Sequence, residues 1–257
     1  SYGIQEFCTN NSTPFFAGNP NNTDLKSFYS KFKAELLLSI NYLFIVSQET
    51  LDMAERYAIN FHGSLLPKYR GRTPHVWAII NGENETGVTA HLMEGEVDNG
   101  AIIKQVRIPI SKNDTGAQIL KLFHDIYPSM VDEIIGLAKE NKINPIGQKS
   151  EFATYFGKRT PFDGLINWEW HWERIRNWVR AQAHPYPGAF AFLNNEKIII
   201  HKIEKSEFGF HQDEANGSIL HVNSDGTFIV KTANSSVRVV DFEPFSFKLQ
   251  KGMQFKS

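Results

Sequence analysis

Residues 59–71 read Ile-Asn-Phe-His-Gly-Ser-Leu-Leu-Pro-Lys-Tyr-Arg-Gly, and Val-Asp-Asn-Gly follows at residues 97–100. The first stretch is an apolar run that ends in Asn60 and His62 and then passes into a basic loop bounded by proline and glycine. This pattern is typical of a buried strand whose carboxyl end opens onto a cleft, which is where open α/β sheets bind ligands. The stretch therefore predicts an α/β fold with a site at the end of this strand.

Strands and helices alternate on both sides of this stretch. We expect strands at residues 36–40, 58–61, 87–93 and 101–110, and helices at residues 25–34, 49–56, 74–81 and 115–141. In the last helix Pro128 should kink or divide an otherwise regular amphipathic pattern. The first 24 residues are rich in turn-forming residues and predict a loop around a short strand at residues 2–7. The alternation predicts a Rossmann-like, mostly parallel sheet with helices on both faces.

The pattern changes in the second half of the chain. An irregular segment at residues 148–164 and a helix at residues 172–183 precede a rigid Pro-Tyr-Pro-Gly turn. Five short strands are then expected at residues 189–193, 197–203, 218–222, 227–232 and 237–242. Strands at this spacing predict a small β-barrel-like domain of the oligonucleotide-binding type. We therefore divide the chain into a catalytic domain (1–147), a linker with a helix (148–188) and a small β domain (189–257).

Composition narrows the classes of partner and compartment. The net charge of −1 disfavours a nucleic acid as the main partner, because such affinity comes from a strongly basic surface. A single cysteine, Cys8, excludes an internal disulfide framework and fits a cytoplasmic protein. His75 and His91 have no metal-ligand spacing with His62, so we expect no metal. No apolar run approaches the roughly 20 residues that span a bilayer, and we expect no membrane segment.

Asn60, His62 and Asp98 combine an amide, an imidazole and a carboxylate at the ends of neighbouring predicted strands. These groups suit the attack of an amine on an acyl carbon, where an oxyanion develops and protons must leave the nitrogen. Spacing alone leaves a second interpretation open, in which His62 caps a strand and Asp98 begins a turn.

The loop that follows is basic. Its cations and ring are Lys68, Tyr69, Arg70 and Arg72. Such charges could clamp the phosphates of a ligand, and the alternative is a solvated surface loop. The tryptophans at residues 168–178 could form a stacking surface, but their helical spacing favours packing in a core.

Together these motifs resemble the folate-dependent formyltransferases, a family that uses N10-formyltetrahydrofolate. The resemblance extends over about residues 36–192 and includes the segments at 86–91, 155–161 and 185–190. It implies that Asn60 and His62 hold the oxyanion while Asp98 supports His62 and proton removal. It also implies a pterin pocket formed by one loop and the backbone of another. The residues concerned are Tyr42, Leu43, Phe44 and Ile45, and Gly95, Glu96 and Val97.

Two branches of that family carry a C-terminal barrel-like domain: the methionyl-tRNA formyltransferases and the enzymes that formylate nucleotide-linked amino sugars. The segments at residues 68–74 and 156–161 look closer to the sugar branch. From Tyr155 onward the sequence has 13 Lys and Arg and 11 Asp and Glu. This positive excess is weak for a domain that holds tRNA. We therefore expect a sugar nucleotide and the folate as substrates. The tRNA enzyme and a non-catalytic folate or sugar-nucleotide binding protein remain alternatives, and a homodimer is left open.

The resemblance carries one further expectation. The sheet of that family begins with a strand, a helix and a strand ahead of the region that matches residues 2–7, and nothing in this sequence corresponds to them. We expect such a segment to be missing from the sequence, because the sheet would otherwise have an exposed edge.

Overall fold

The structure is a computed structural model that describes residues 2–18, 27–31, 34–42, 44–244 and 246–256. Its helices are α1 (Tyr2–Asn10), α2 (Gln48–Leu51), α3 (Pro74–Ile80), α4 (Gly116–Lys139) and α5 (Trp172–Ala181). Its strands are β1 (Ala34–Ile40), β2 (Ala54–His62), β3 (Arg70–Gly71), β4 (Glu85–Leu92), β5 (Ile102–Pro109), β6 (Tyr155–Phe156), β7 (Ala189–Leu193), β8 (Glu196–Ser206), β9 (Ile219–Val222), β10 (Phe228–Lys231) and β11 (Ser236–Phe242).

The first sheet has four strands in the order β1-β2-β4-β5. β1 and β2 are parallel, with Leu38 opposite Ile59 and Ser39 opposite Asn60. Ile59 is fully buried, and β4 is buried along most of its length. Strand β4 is therefore covered on both faces, as strands in α/β proteins are, whereas β1 is only partly buried. The sheet therefore fixes the end of β2, where the predicted site lies.

Helix α4 begins at a capping box, in which Thr115 and Gln118 each bond the other's backbone N–H. Its buried face includes Ile119, Phe123 and Ile134, at the spacing of an amphipathic helix. Pro128 lies on the exposed side of the helix and does not divide it.

The second half of the chain forms a five-stranded antiparallel sheet in the order β7-β8-β11-β10-β9. Its core is apolar: Phe228 and Val237 are fully buried, and the ring of Phe228 stacks on Phe255 at 5.9 Å. This confirms the predicted fold class, an α/β part followed by a small antiparallel β part.

Two local predictions were wrong. Residues 2–7 belong to α1 rather than to a strand, and the helix expected at residues 49–56 ends at Leu51 because β2 begins at Ala54. Pairing with β1, which starts at Ala34 opposite Ala54, overrides the helical preference of this alanine, glutamate and arginine segment. Of the helix expected at residues 25–34, positions 25, 26, 32 and 33 lie outside the described residues.

The chain divides into two compact units. The first comprises Ser1–His62, Ala90–Lys104 and Asn144–Gln148, and the second comprises Gly63–Thr89, Gln105–Ile143 and Lys149–Ser257. Strands β4 and β5 each contribute residues to both units. Across the ranges that the structure describes, no helix has the length and apolar character needed to cross a bilayer.

Candidate active site

The end of β2 presents Asn60 and His62 on one face, because side chains two apart on a strand point the same way. Asp98 lies in the loop after β4, with a left-handed φ of 54° that aspartate tolerates better than most residues. All three side chains belong to the first compact unit.

The structure brings these three predicted residues together. His62 Nδ1 lies 3.4 Å from Asp98 Oδ2, and Asn60 Nδ2 lies 3.3 Å from Asp98 Oδ1. His62 and Asp98 are only 7% and 9% exposed, so water screens the interaction between the two side chains little. Both distances are at the long end for hydrogen bonds, as is common in ligand-free active sites that tighten around a substrate.

His91, which the sequence did not single out for catalysis, joins the same cluster. Its Nε2 lies 3.2 Å from Asn60 Nδ2 and 3.5 Å from Asp98 Oδ1, and its Nδ1 lies 2.7 Å from the carbonyl oxygen of Leu92. A carbonyl only accepts, so Nδ1 carries a hydrogen; in the neutral tautomer that has this hydrogen, Nε2 accepts from Asn60. The signal in the sequence was its place near the carboxyl end of β4. We call Asn60, His62, His91 and Asp98 the Asp98 cluster.

In this arrangement both N–H groups of the Asn60 amide have an acceptor. Its nitrogen has two hydrogens, and the two acceptors within reach are His91 Nε2 at 3.2 Å and Asp98 Oδ1 at 3.3 Å. A substrate oxygen that needs an N–H donor from Asn60 therefore competes with bonds that are long and correspondingly weak.

The loop of Asp98 is held by a residue fifty positions away. Gln148 Nε2 donates to the carbonyls of Asp98 at 2.8 Å and Gly100 at 2.7 Å. Gly100 is required by packing, since a Cβ there would lie 1.9 Å from the carbonyl oxygen of Leu92. These contacts position the carboxylate through its backbone.

The residues expected at the pterin pocket are largely exposed. Tyr42, Phe44, Ile45 and Val97 are 40%, 54%, 71% and 47% exposed, and the rings of Tyr42 and Phe44 lie 5.7 Å apart. Gly95 and Glu96 are exposed as well, and Leu43 lies outside the described residues. Partial burial, with a smaller effect of Tyr29, raises the pKa of Tyr42. These exposed side chains give the first unit an apolar surface.

The basic loop belongs to the second unit and divides into two kinds of residue. Lys68 and Arg72 are exposed, and Lys68 Nζ lies 3.9 Å from Glu83 Oε1. Tyr69 is buried, donates to Glu83 Oε1 at 2.8 Å and stacks on Phe156. Burial is the main cause that raises the pKa of Tyr69 to about 12.

Arg70, by contrast, is only 1% exposed. Its Nη1 donates to the hydroxyl of Tyr155 at 2.5 Å, and its backbone pairs with the same residue between β3 and β6. The side chain is therefore tied into the loop, and the exposed cations of this loop are Lys68 and Arg72. Within the described part of the chain, no group of three or more His, Cys, Asp or Glu side chains has the arrangement of a metal site.

Comparison with known proteins places the chain. A sequence profile described as formyl transferase matches residues 7–135, and one described as formyl transferase, C-terminal domain, matches residues 158–256. The bifunctional polymyxin resistance protein ArnA of Wigglesworthia glossinidia brevipalpis is 40% identical over 211 residues, which are 81% of this chain and 32% of that protein. The chain thus spans about a third of this curated relative.

Solved structures share the fold. An N-formyltransferase from Helicobacter canadensis, solved with folinic acid and dTDP-3-aminofucose, has a TM-score of 0.69 at 20% identity, over 93% of this chain and 82% of that one. A methionyl-tRNA formyltransferase from Clostridium thermocellum has a TM-score of 0.61 at 21% identity, over 80% of this chain and 88% of that one. With a family profile matched across half of its length, the chain belongs to the formyl transferase family.

Proposed function

We propose that this chain transfers a formyl group from N10-formyltetrahydrofolate to the amino group of an amino-deoxysugar carried on a nucleotide. The observation that carries the proposal is the proximity of Asn60, His62 and Asp98 in a member of the formyl transferase family. An amide and an imidazole, each within 3.5 Å of the same carboxylate, are the groups that acyl transfer to an amine requires.

The proposed reaction assigns a task to each group. The acceptor's amine attacks the formyl carbon, a C–N bond forms, and the carbonyl π electrons move onto the formyl oxygen. Protonated His62 and the amide of Asn60 donate to that oxygen, and Asp98 stabilises the positive imidazole. The bond from the formyl carbon to N10 then breaks, and N10 keeps the electron pair and receives a proton in place of the one the amine loses through Asp98.

The folate is assigned to the exposed apolar residues of the first unit. Tyr42, Phe44, Ile45 and Val97 supply a surface on which a flat pterin ring would bury apolar area. With Leu43 and the backbone of Gly95 and Glu96, they are the proposed pterin pocket. The fold shared with the Helicobacter canadensis protein, which was solved with folinic acid, supports this assignment.

The proposed acceptor is the one used by the sugar branch of the family, a nucleotide-linked amino sugar. Supporting it are the motifs around the basic loop and the relatedness to ArnA, together with a shared fold in an enzyme solved with a dTDP-linked amino sugar. In this proposal the exposed cations Lys68 and Arg72 contact the phosphates, while Tyr69 and Arg70 shape the loop. A methionyl-tRNA formyltransferase is the second candidate, because an enzyme of that kind shares the fold.

The test supplies formyl donor with a panel of dTDP-, UDP- and GDP-amino sugars and with charged initiator tRNA, and measures the mass of each acceptor. We expect one sugar nucleotide to gain a formyl group, and His62→Asn to slow transfer about 100-fold or more. His171→Asn, an exposed histidine without a side-chain cap bond, is the matched control. Formylation of tRNA alone would select the second candidate. Retained ligand binding without any transfer would instead indicate a non-catalytic binding protein.

A further inference from the structure

A cavity lies within the second compact unit and shares no residue with the Asp98 cluster. It has a volume of about 110 Å³, and its walls include Val76, Pro161, Tyr186 and Pro187. This is several times the space that one water needs, and it is smaller than the hundreds of cubic ångströms of a pocket for a drug-sized ligand. The cavity therefore has room for one ring of a larger molecule.

Arg159 is the cation of this cavity. Its guanidinium carbon lies 4.4 Å from the ring centre of Trp178 and 4.9 Å from that of Trp77. Its Nη2 donates to the carbonyl of Asp163 at 2.7 Å and to Gln182 Oε1 at 2.8 Å. Burial lowers the pKa of Arg159, yet a guanidinium stays protonated in proteins. Two indoles and two hydrogen bonds thus fix its orientation.

These bonds leave part of the guanidinium unused. An arginine has five N–H donors, and the two bonds of Nη2 occupy two of them. Among the described residues, neither Nε nor Nη1 of Arg159 has a hydrogen-bond acceptor. Arg159 therefore lines the cavity as a fixed cation with three N–H groups that no described residue accepts.

Thr73 is a second, independent sign of a ligand. Its hydroxyl oxygen is buried and has no hydrogen-bond partner in the described part of the chain. Leaving such a group unsatisfied is costly, so each case in a native protein calls for a partner. Thr73 also has a left-handed backbone with φ 49°, which is rare for a β-branched residue.

We propose that this cavity binds a planar heterocycle that carries a carbonyl oxygen. The ring would lie among the apolar walls, its carbonyl would accept from Arg159, and Thr73 would bond a second polar atom. Nucleobases and the pterin of a folate share this chemistry. The identity of the ring rests on the proposed function. That function assigns the pterin to the first unit, so the base of the nucleotide carrier is the ring that we assign to this cavity.

Thr73→Val tests the proposal in the full chain, because valine keeps the shape of threonine and removes only the hydroxyl. Binding of UMP, dTMP, GMP and folinic acid is measured by calorimetry, with ribose 5-phosphate as the ligand without a ring. We expect one class of ring ligand to lose about five- to tenfold in affinity. Arg159→Gln should weaken the same ligand at least tenfold, while Lys158→Gln, an exposed neighbouring cation, should not.

The outcomes distinguish a nucleobase from a pterin, and they distinguish failure of the cavity proposal from failure of the proposed function. An effect confined to mononucleotides supports the carrier's base as the ring, and an effect confined to folinic acid overturns that assignment. Unchanged affinity of Thr73→Val for every ring ligand overturns the proposal, as does an equal loss for ribose 5-phosphate. Formyl transfer by the wild-type chain is followed in parallel. Transfer without a Thr73 effect refutes only the cavity, and a Thr73 effect without transfer refutes only the proposed function.

Discussion

Replacing Gln148 by methionine tests whether the loop of Asp98 is held in place from outside. The substitution keeps the length of the side chain and removes the Nε2 donor that binds the carbonyls of Asp98 and Gly100 at 2.8 and 2.7 Å. A net hydrogen bond contributes roughly 1 kcal/mol, so losing two costs about 2 kcal/mol. In a chain of this size that cost lowers the melting temperature by about 4–8 °C.

The same loss should affect turnover, because the two carbonyls belong to the loop that positions the carboxylate. If the loop opens locally, about 2 kcal/mol corresponds to a change of about 30-fold in the ratio of closed to open loop. We therefore expect Gln148→Met to lower kcat for formyl transfer by up to about 30-fold, with little change in folate affinity. Single-turnover transfer and thermal unfolding measure the two effects.

Gln105 provides the matched control. Its Nε2 also donates twice, to the carbonyl of Leu66 at 2.8 Å and to the hydroxyl of Thr89 at 2.9 Å, and it belongs to the second unit. Gln105→Met should cost a similar amount of stability without a comparable fall in kcat. Gln148 does not position Asp98 for turnover if Gln148→Met retains kcat within twofold, or if both variants lose turnover equally.

Three further predictions follow from the contacts of single residues. His91→Phe removes the acceptor of Asn60 and should slow formyl transfer about five- to thirtyfold. His91→Gln keeps an acceptor and should slow transfer less. Equal rates for both variants would contradict the role of this hydrogen bond. Gly71 has φ +98°, and a Cβ there would lie 2.3 Å from the carbonyl oxygen of Phe156. Gly71→Ala should therefore lower the free energy of unfolding, measured by chemical denaturation, by about 2 kcal/mol or more. Gly157→Ala, with open space around the added Cβ, should be nearly neutral. Burial, with a smaller effect of His124, lowers the pKa of His75 to about 4. The stability that comes from its neutral form is therefore complete above pH 6.5 and falls by roughly 3 kcal/mol as the pH drops towards 4. His75→Phe should flatten this part of the pH–stability curve, and an unchanged slope would refute the assignment.

The end of β2 could be predicted because its evidence is local. An apolar run followed by polar residues two apart places Asn60 and His62 on one face of a strand, and parallel pairing with β1 then fixes their position. The start of the chain shows the limit of such patterns. Residues 2–7 suit a strand by composition, but a helix satisfies its own backbone bonds, and α1 leaves Ile4 and Phe7 more than 60% exposed.

Long-range contacts account for what the sequence did not predict. Gln148 reaches the loop of Asp98 from an irregular segment fifty residues later, where no periodicity marks it. Arg70 was expected to face a ligand with the other cations of its loop. Its burial depends on β3 pairing with β6 and on the ring of Tyr155, which lies 5.3 Å from its guanidinium carbon. His91 could have been found from its place near the end of β4, but its role depends on the carbonyl of Leu92.

The assembly of the first compact unit from three separate segments has a consequence for protein engineering. The unit contains the whole Asp98 cluster together with Gln148. It consists of Ser1–His62, Ala90–Lys104 and Asn144–Gln148, so it cannot be exchanged as one continuous segment of sequence. A chimera joined at their boundaries would cut β4 after Thr89 and β5 after Lys104, each in mid-strand. Recombination with a relative should therefore preserve function when its crossovers fall in the loops that flank these strands.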